Sequence, residues 1–502
     1  MRASRSLPAV TILALSSVSA FAADLPVKAK AVEYVKVCSA YGAGFYYVPG
    51  TDTCLRLGGY IRFDTYINAV GTFNPMISSA ANTGFTAPGA GVGAFPLLTD
   101  KSPDYLTRAR TVIDLDARTA TDYGVLRSFT RFGGQWDSQA SAGSPAGGSL
   151  YFERAFIQFA GFTFGYTQSF FDTGVDYMFT TPYVGSNTWT SAIAYTAQFG
   201  NGFSATLALE DAANRTTGVQ FAPATGSFSG GAALTGLNGI GYANYQDGQQ
   251  APEIVANLRL DQAWGTAMLS GAIHQVAGIT PVGTGGTTYL GENATDSWGW
   301  AAGGSLEIKL PMLAPGDSIY FQANYAEGAL NYLGLSGNFQ ARATGLGSID
   351  LNSGFSTASG AYYPIADAIW NGTDYAKETG WAIQGQFRHF WMPNLRSAVY
   401  AGYVKVDVPA NATYSAANIA LLPGAALFNA GYSVNVTQVG LNTIWSPVKN
   451  LDLGLEVLYS KVDGSLPATA GIISGTTTAG TVTAFGGSTD VWSGGFRAQR
   501  NF

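Results

Sequence analysis

The stretch that decides the fold is VWSGGFRAQRNF, Val491–Phe502, which is the C-terminal end of the chain. Residues at every second position share one face of an extended strand, so Trp492, Phe496 and Phe502 lie on the same face. The opposite face carries polar residues. This pattern, which ends on an aromatic residue, predicts a strand that closes a sheet with one apolar and one polar face.

The N-terminus has the features of an export signal. Two arginines within the first five residues precede a modest apolar stretch, and Ala20-Phe21-Ala22 has the small–x–small pattern of a cleavage site. The apolar stretch is too short to remain as a membrane helix. We therefore expect residues 1–22 to be a signal peptide and the mature chain to begin at Ala23; a buried N-terminal helix is the alternative.

The composition favours many strands. The chain contains 64 glycines, 27 tyrosines and 29 phenylalanines, but only 12% charged residues. No run of 18 or more strongly apolar residues follows the signal, which argues against helical membrane spans. Without the signal the chain has 24 basic and 32 acidic side chains, a net charge of −8. This balance argues against nucleic acid as a partner.

Cys38 and Cys54 are the two cysteines of the sequence. In an oxidising compartment we expect this pair to form a disulfide, which would stabilise the fold by roughly 3 kcal/mol. A metal site or a catalytic thiol is the weaker alternative, because no histidine lies near either cysteine in the sequence. We expect residues 23–54 to form a periplasmic N-terminal segment that contains this disulfide.

A repeated pattern of two strand-like runs joined by a short turn sets the architecture. Its five clear copies are AQFGNGFSATLAL, LRLDQAWGTAMLSGAI, LEIKLPMLAPGDSIYFQANY, FRHFWMPNLRSAVYAGY and NTIWSPVKNLDLGLEVLY. Two further hairpins turn at Thr119–Gly124 and at Gly161. With a first strand at Leu55–Ile67 and the last strand, the seven hairpins predict an all-β fold of 16 strands. An even strand number with both ends on the short-turn side is typical of a transmembrane antiparallel β-barrel, here over residues 55–502.

The alternation within the strands is compatible with closure. In the first strand one face carries Leu55, Leu57, Ile61, Phe63 and Ile67, and the other carries Arg56, Tyr60, Arg62, Asp64 and Tyr66. A soluble sandwich would show the same alternation. The export signal, the aromatic residues near the turns and the terminal Phe502 favour a barrel whose apolar face meets outer-membrane lipid.

Sixteen strands predict an aqueous lumen, because only smaller barrels fill with side chains. The segments opposite the tight turns are long and rich in Gly, Ala, Ser, Thr and Asn, so we expect them to be extracellular loops. They cover roughly residues 68–104, 134–150, 169–189, 212–251, 276–296, 329–377, 408–431 and 464–489.

Three stretches resemble the alphaproteobacterial general porin family of rhizobia and Brucella. They are VCSAYGAGFYYVPGTDTCLRLGGYIRFD (Val37–Asp64), ERAFIQFAGFTFGYTQSFFD (Glu153–Asp172) and the ending FRAQRNF, and the start ADLP at Ala23 also agrees. The resemblance implies a homotrimer of 16-stranded barrels in the outer membrane, through which small hydrophilic solutes and ions diffuse passively. It implies that the third loop folds into the pore, and that the outer-membrane assembly machinery reads Phe502.

An arginine cluster and the third long segment are the candidate pore constriction. Eight of the 15 mature arginines fall between Arg56 and Arg154. An arginine that faces lipid near the membrane centre costs roughly 2 to 4 kcal/mol, so we expect these to face the lumen. Opposed carboxylates in the third segment would create a transverse field. The predicted constriction comprises Arg56, Arg62, Arg108, Arg110, Arg127, Arg131, Asp172 and Asp176. The alternative is that the arginines only bind loop carbonyls and neighbouring strands.

The sequence predicts no enzyme, no cofactor and no metal site. His274 and His389 lie on different hairpins, and HExxH, GxSxG and P-loop motifs are absent. Two other functions remain open. A channel selective for an oligosaccharide or an anion would need aromatic residues along the lumen, for which the candidates are Tyr60, Tyr66, Phe129 and Phe156. A structural or adhesive surface protein would rely on its loops and need no open lumen.

Overall fold

The computed structural model describes residues 36–70, 74–75, 105–138, 147–179, 184–221, 243–244, 250–284, 287–293, 297–335, 366–370, 374–409, 432–465, 475–477, 480–482 and 487–502. The expected signal peptide and most of the expected loop segments lie outside these residues. Within these ranges no helix is long and apolar enough to cross a membrane.

The described residues form a closed wall of sixteen antiparallel strands. The strands are β1 (Cys54–Ile67), β2 (Tyr105–Thr121), β3 (Gly124–Asp137), β4 (Gly147–Phe159), β5 (Phe162–Gln168), β6 (Trp189–Gly200), β7 (Phe203–Glu210), β8 (Glu253–Gln262), β9 (Gly265–Val276), β10 (Ser297–Lys309), β11 (Ser318–Glu327), β12 (Thr379–Met392), β13 (Leu395–Val408), β14 (Tyr432–Val448), β15 (Leu451–Ser465) and β16 (Gly487–Asn501). Each strand pairs with its neighbours in chain order, and β1 pairs with both β2 and β16. The predicted 16-stranded barrel is therefore confirmed.

Short elements lie outside the wall. Three 3₁₀ helices span Ser39–Tyr41, Ala212–Asn214 and Leu330–Leu333. The short strands are Tyr46–Tyr47, Ala69–Val70, Asn74–Pro75, Val219–Phe221, Ala243–Asn244, Ile279–Thr284, Thr287–Asn293, Ala368–Trp370, Tyr375–Lys377, Gly475–Thr477 and Gly480–Val482. Apart from the Ser39–Tyr41 helix and the Tyr46–Tyr47 strand, all of them belong to connections opposite the tight turns.

All seven predicted tight hairpins are present, at residues 122–123, 160–161, 201–202, 263–264, 310–317, 393–394 and 449–450. The turn at 201–202 shows why these sequences turn: Asn201 and Gly202 both have positive φ, 50° and 73°. A Cβ atom on Gly202 would lie 1.8 Å from the carbonyl oxygen of Asp261. Only glycine fits at that position, where the turn lies against the neighbouring strand β8.

The second long connection is shorter than predicted. The expected segment 134–150 includes residues that the structure assigns to the ends of β3 and β4. The glycines of this stretch suggest a loop, but Gly134 and the preceding Gly133 are paired within the sheet, opposite Leu150 and Tyr151. A Cβ atom at Gly133 would lie 2.6 Å from the carbonyl oxygen of Thr111, so here glycine serves close packing rather than a turn.

The seam between the first and last strands includes the terminal residue. The amide nitrogen of Phe502 donates to the carbonyl oxygen of Gly59 over 3.1 Å, and that of Gly59 donates back over 3.3 Å. The ring of Phe502 is 55% exposed on the outer face, as is the ring of Trp492 at 53%. The predicted apolar face of the last strand is therefore the outer face of the barrel.

The predicted alternation of β1 also holds. Its outward side chains Leu57, Ile61, Phe63 and Ile67 are between 45% and 57% exposed, whereas Asp64 on the inner face is fully buried. The apolar side chains of β1 thus lie on the outer surface of the barrel, and its charged side chains face the interior.

The inner wall has an apolar patch that the sequence analysis did not identify. It consists of small inward side chains towards the loop ends of β6–β16, among them Ala194, Ala208, Val255, Ala272, Ala326, Ala382, Val404, Val436 and Val462. Phe171 and the 3₁₀ helix Leu330–Leu333 pack on this patch and are fully buried. This side of the barrel interior is therefore a packed core between the wall and the loops.

Candidate pore constriction

The described parts of the third loop, residues 169–179 and 184–188 between β5 and β6, run along the inner wall. Its first part is tied to β7, β9 and β11. The amide nitrogen of Phe170 donates to Glu210 over 2.7 Å, and the carbonyl oxygen of Phe171 accepts from Ser270 over 2.9 Å. The hydroxyl of Thr173 is 2.7 Å from that of Tyr320. Strand side chains therefore take up backbone groups that the loop would otherwise leave unpaired.

The middle of the loop crosses to β12, β14, β15 and β16. The amide nitrogen of Tyr177 donates to Gln386 over 2.8 Å, and its carbonyl oxygen accepts from Asn442 over 2.7 Å. The amide nitrogen of Phe179 donates to Glu456 over 2.5 Å. Because the described parts of the loop bind inward side chains of β7, β9, β11, β12, β14 and β15, the prediction that the third loop folds into the pore is confirmed.

The returning part of the loop is clamped against the 3₁₀ helix Leu330–Leu333. The amide nitrogen of Gly185 donates to the carbonyl oxygen of Leu333 over 2.9 Å. Gly185 has a φ of 93°, and a Cβ atom there would lie 2.2 Å from Oε1 of Gln322. The close approach of loop and wall at this point requires glycine.

Asp172 is not exposed to the lumen, in contrast to the sequence-based prediction. Its side chain is fully buried, and Oδ2 accepts from the amide of Thr188 over 2.6 Å and from Nη2 of Arg215 over 3.1 Å. The carboxylate joins the two ends of the loop and neutralises a buried guanidinium. The Asp172–Arg215 pair spans 43 residues, so no local pattern in the sequence indicates it.

Asp176 has a different environment. It is partly exposed, and Oδ1 accepts from the amide of Met178 over 3.0 Å. Its carboxylate also lines a cavity of about 220 Å³ on the periplasmic side of the loop. Of the two predicted loop carboxylates, only that of Asp176 is accessible from the interior of the barrel.

The wall opposite the loop is rich in arginine. Among the described residues, the inner faces of β16 and β1–β4 carry nine arginines and five carboxylates, a local excess of four positive charges. The arginines are Arg56, Arg62, Arg108, Arg110, Arg118, Arg127, Arg131, Arg154 and Arg497, and the acids are Asp64, Asp114, Asp116, Asp137 and Glu153. We call this set the arginine wall.

Most of these arginines form ion pairs within the wall. Arg62 and Arg497 share Asp64 at 3.0 and 2.7 Å, and Arg131 pairs with Asp114 at 2.6 Å. Arg56, Arg118 and Arg127 converge on Asp116 at 3.8, 2.8 and 3.0 Å. The pairs orient the guanidinium groups, and the unpaired excess of positive charge remains.

The predicted arginines differ in accessibility. The side chains of Arg56, Arg127 and Arg131 are 43%, 26% and 28% exposed, whereas that of Arg108 is 2% exposed. Arg108 is bound through two nitrogens to Asp137, at 2.5 and 2.8 Å, near the loop end of the wall. Alternation correctly gives its inward direction, but a solute in the lumen does not contact it.

Aromatic rings support the guanidinium planes. Arg127 lies over Phe129 and Phe156, with 5.1 and 5.4 Å to the ring centroids, and Arg110 lies 4.9 Å over Tyr151. Phe129 and Tyr66 are buried. Of the four aromatic residues considered as a lumen track, two are thus covered, and Phe156 lies beneath a guanidinium.

The disulfide between Cys38 and Cys54 is present, which confirms the prediction, and both cysteines are 1% exposed. The segment that it closes folds against the periplasmic end of the arginine wall. The ring of Phe45, 3% exposed, lies 5.4 Å from the guanidinium of Arg56 and 5.0 Å from that of Arg118.

The histidines take structural roles. His274 is buried, with Nδ1 2.5 Å from Glu253, and Glu253 also accepts from the hydroxyl of Tyr332 over 2.8 Å. His389 lies 2.6 Å from Asp317. These contacts hold the 3₁₀ helix Leu330–Leu333 and the turn at 310–317 against the strands of the barrel. On the side of His274, burial and the neighbouring Asp367 raise the pKa of Glu378, a loop residue, well above its ordinary value.

Sequence reasoning missed the wall acids that hold the loop. Alternation indicates that Glu307 and Glu456 face inward, but nothing in the sequence shows that they bind the loop. Glu307 accepts from the hydroxyl of Tyr177 over 2.7 Å, and Glu456 accepts from Phe179.

Comparison with known proteins agrees with this geometry. The chain is 30% identical to porin Omp2b of Brucella suis and 29% identical to porin Omp2b of Brucella abortus strain 2308, each over 267 residues, which is 51% of this chain. The match spans 62% and 61% of the length of these relatives. The outer membrane channel DcaP of Acinetobacter baumannii has the same fold, with a TM-score of 0.51 at 16% identity over 91% of this chain and 99% of that one. Residues 24–494 match the sequence model of the porin subfamily, so the chain belongs to that family.

Proposed function

We propose that this protein is an outer-membrane porin that lets small hydrophilic solutes and ions diffuse passively through a water-filled lumen. The third loop carries the proposal, because it is held along one inner wall and leaves the arginine wall facing the interior. A barrel of 16 strands is wide enough to keep an aqueous passage beside such a loop. Membership of the porin family implies a channel, and we propose that the protein catalyses no reaction.

The proposed constriction lies between Asp176 of the third loop and the accessible arginines of the opposite wall. Those arginines are Arg56, Arg127 and Arg131, and the more buried Arg62 and Arg110 lie in the same wall. Opposed charges in a narrow aqueous passage create a transverse field, which orients dipolar solutes and disfavours bulky apolar ones. Arg108 and Asp172 belong instead to the packed framework that holds the wall and the loop.

The local charge favours one refinement of this function, a preference for anions. The arginine wall has four more positive than negative charges, and wall carboxylates on the loop side, such as Glu456, are buried and bonded to the loop. Charges farther away than a Debye length of about 8 to 10 Å are screened by salt, so the wall outweighs the net negative charge of the chain.

The proposal includes partners of the barrel. We propose a homotrimer whose apolar outer faces contact one another and outer-membrane lipid, and a terminal residue Phe502 that the assembly machinery recognises. The apolar outer face of β1 and the exposed rings of Trp492 and Phe502 support this arrangement. The mass of the detergent-solubilised complex tests the trimer.

Single-channel recording in a planar bilayer tests the function. We expect large ohmic steps, and a reversal potential in a salt gradient that favours anions. A step blocked by one sugar would instead support the selective channel. The absence of any step from correctly folded protein would contradict the pore and favour a structural or adhesive role.

A further inference from the structure

A second group of charged residues adjoins the arginine wall at β16 and shares Arg497 with it. On the periplasmic side of the third loop, a cavity of about 220 Å³ is lined by the inner faces of β12–β16 and by Asp176–Phe179 of the loop. Three arginines, Arg388, Arg396 and Arg497, and two acids, Asp176 and Asp452, line it. At about 30 Å³ for each water molecule, the space corresponds to about seven waters and suits a small organic solute.

We propose that this cavity is a binding subsite for small solutes that carry a carboxylate beside a hydrogen-bond donor. The proposal rests on the proposed channel function and adds a site that adjoins the constriction and shares Asp176 with it. The carboxylate would bind the arginines, and the neighbouring donor, an ammonium or a hydroxyl, would bind Asp176.

Two of the arginines are held in place before any solute arrives. Nη2 of Arg396 donates to Asp452 over 2.7 Å, and Nη1 donates to Ser446 over 3.2 Å. Nε of Arg497 donates to Asp64 over 2.7 Å, and Nη2 donates to the hydroxyl of Tyr66 over 3.0 Å. Guanidinium groups that are already oriented lose little conformational entropy when they bind a carboxylate.

Arg388 supplies the uncompensated charge. Its Nε and Nη2 donate to the carbonyl oxygen of Gly316 over 3.3 and 3.2 Å, and its plane lies 4.6 Å over the ring of Tyr177. Among the described residues, no carboxylate lies within 4.0 Å of Arg388, and no protein acceptor binds its Nη1. A buried or half-buried guanidinium without a carboxylate partner favours an anion in the adjoining space.

Asp176 adds a second condition for binding in the cavity, a hydrogen-bond donor beside the carboxylate of the solute. Asp176 belongs to the loop part of the lining, the arginines belong to the strand part, and Oδ1 of Asp176 accepts from the amide of Met178. A solute with only a carboxylate has no hydrogen-bond donor for the Asp176 carboxylate, and the two negative charges repel each other. A solute with an adjacent ammonium or hydroxyl satisfies both sides, so the cavity distinguishes between carboxylates of equal size.

Three solutes of nearly equal size test the proposal. Propionate has a carboxylate alone, lactate adds a hydroxyl, and alanine adds an ammonium. For each we would measure the solute-dependent noise or block of single-channel current and the concentration that gives half of the effect. We expect lactate and alanine to act at lower concentrations than propionate, and the comparison of the two shows whether a hydroxyl or an ammonium is preferred.

Two variants and a matched control locate the site. In Arg388→Gln the half-effect concentration of lactate and alanine should rise about tenfold, the effect of losing one hydrogen bond to a charged group. Asp176→Asn should remove the preference over propionate. Arg259→Gln is the control: this inward arginine also lies near the periplasmic end of its strand, but it pairs with Asp261 and lies outside the cavity. It should leave the half-effect concentrations unchanged.

The outcomes separate this proposal from the channel function. If the parent protein conducts but propionate, lactate and alanine act equally, or if Arg259→Gln has the same effect as Arg388→Gln, the subsite is disproved and the channel stands. If the folded parent does not conduct, the channel function itself fails. Arg388→Lys keeps the charge but not the two-pronged geometry, so an intermediate effect is expected even if Arg388→Gln does not fold.

Discussion

Asp172 and Asp176 lie four residues apart in the third loop but have different physical roles. Asp172 is fully buried and paired with the equally buried Arg215, whereas Asp176 is partly exposed to the interior of the barrel. Removal of one partner from a buried ion pair leaves the other charge without compensation. Substitution of these two residues by asparagine should therefore change different properties of the protein.

We expect Asp172→Asn to lower the free energy of unfolding by about 3 kcal/mol, measured in urea with the protein in detergent, because Arg215 loses its counter-charge. Asp176→Asn should leave the unfolding midpoint nearly unchanged and shift ion selectivity toward anions by roughly a factor of two, the effect of one charge at about 8 Å in water. If Asp176→Asn destabilised the protein and Asp172→Asn shifted the reversal potential instead, the two assignments would be reversed.

Glu378 predicts a pH dependence of stability. The carboxyl is fully buried, and burial together with Asp367 raises its pKa well above the ordinary value of 4.5. Above about pH 4.5 we therefore expect the folded protein to retain a proton on Glu378 that the unfolded chain releases. The contribution of the protonated Glu378 carboxyl to stability is complete below about pH 4.5. It declines as the pH rises above that value, because the unfolded state then binds fewer protons than the folded state.

Comparison of the parent with Glu378→Gln across pH isolates this effect. Relative to the variant, the parent should lose about 1.4 kcal/mol of unfolding free energy for each pH unit above about 4.5, until the raised pKa is reached. Glu327→Gln, which removes a partly exposed acid paired with Lys377, is the control and should not change the slope. Parallel pH profiles for the parent and Glu378→Gln would show that the carboxyl is ionised in the folded protein.

At the level of elements, the seam between β1 and β16 depends on the last residue of the chain. Phe502 exchanges two backbone hydrogen bonds with Gly59 and presents its ring on the outer face. Deletion of Phe502 should lower the yield of folded protein in the membrane but leave the conductance of assembled channels unchanged, since the residue lies outside the lumen.

Phe502→Ala separates the two contributions, because it keeps the backbone bonds and removes the ring. A yield as low as that of the deletion would mean that assembly depends on the aromatic ring. A normal yield for Phe502→Ala would assign the effect to the hydrogen bonds of the seam. Normal folding of the deletion itself would contradict the prediction.

The strands and turns could be predicted from the sequence because their determinants are local. Alternation with a period of two gives the inward and outward faces of β1, and turn residues such as Asn201-Gly202 give the ends of the hairpins. Glycines such as Gly133 and Gly134 do not mark the end of a strand, because glycine occurs both in turns and where strands pack closely.

The interior of the barrel could not be predicted in the same way. Alternation gives the inward direction of Val255 and Arg108 but not what covers them. The apolar patch is buried by the third loop and by Leu330–Leu333, which are distant in sequence from most of the strands that they contact. The same limit applies to Asp172, whose partner Arg215 lies in the next long connection, between β7 and β8.

At the scale of the whole molecule, net charge and local charge have opposite signs. The sequence has a net charge of −6, yet the arginine wall has an excess of four positive charges. Permeant ions respond to charges within about a Debye length, so the wall should determine selectivity and the distant acids should not. Two substitutions that change the net charge equally but at different places can separate these effects.

Arg131→Gln removes one charge from the wall, where Arg131 is 28% exposed and paired with Asp114. Arg500→Gln removes one charge from the exposed periplasmic end of β16, where the guanidinium binds backbone carbonyls at the rim. In a salt gradient we expect Arg131→Gln to shift the anion-to-cation permeability ratio roughly twofold toward cations, as one charge at about 8 Å in water would do. Arg500→Gln should leave the reversal potential unchanged. Equal shifts in the two variants would mean that net charge governs selectivity, and the arginine wall would then be only a structural network of ion pairs.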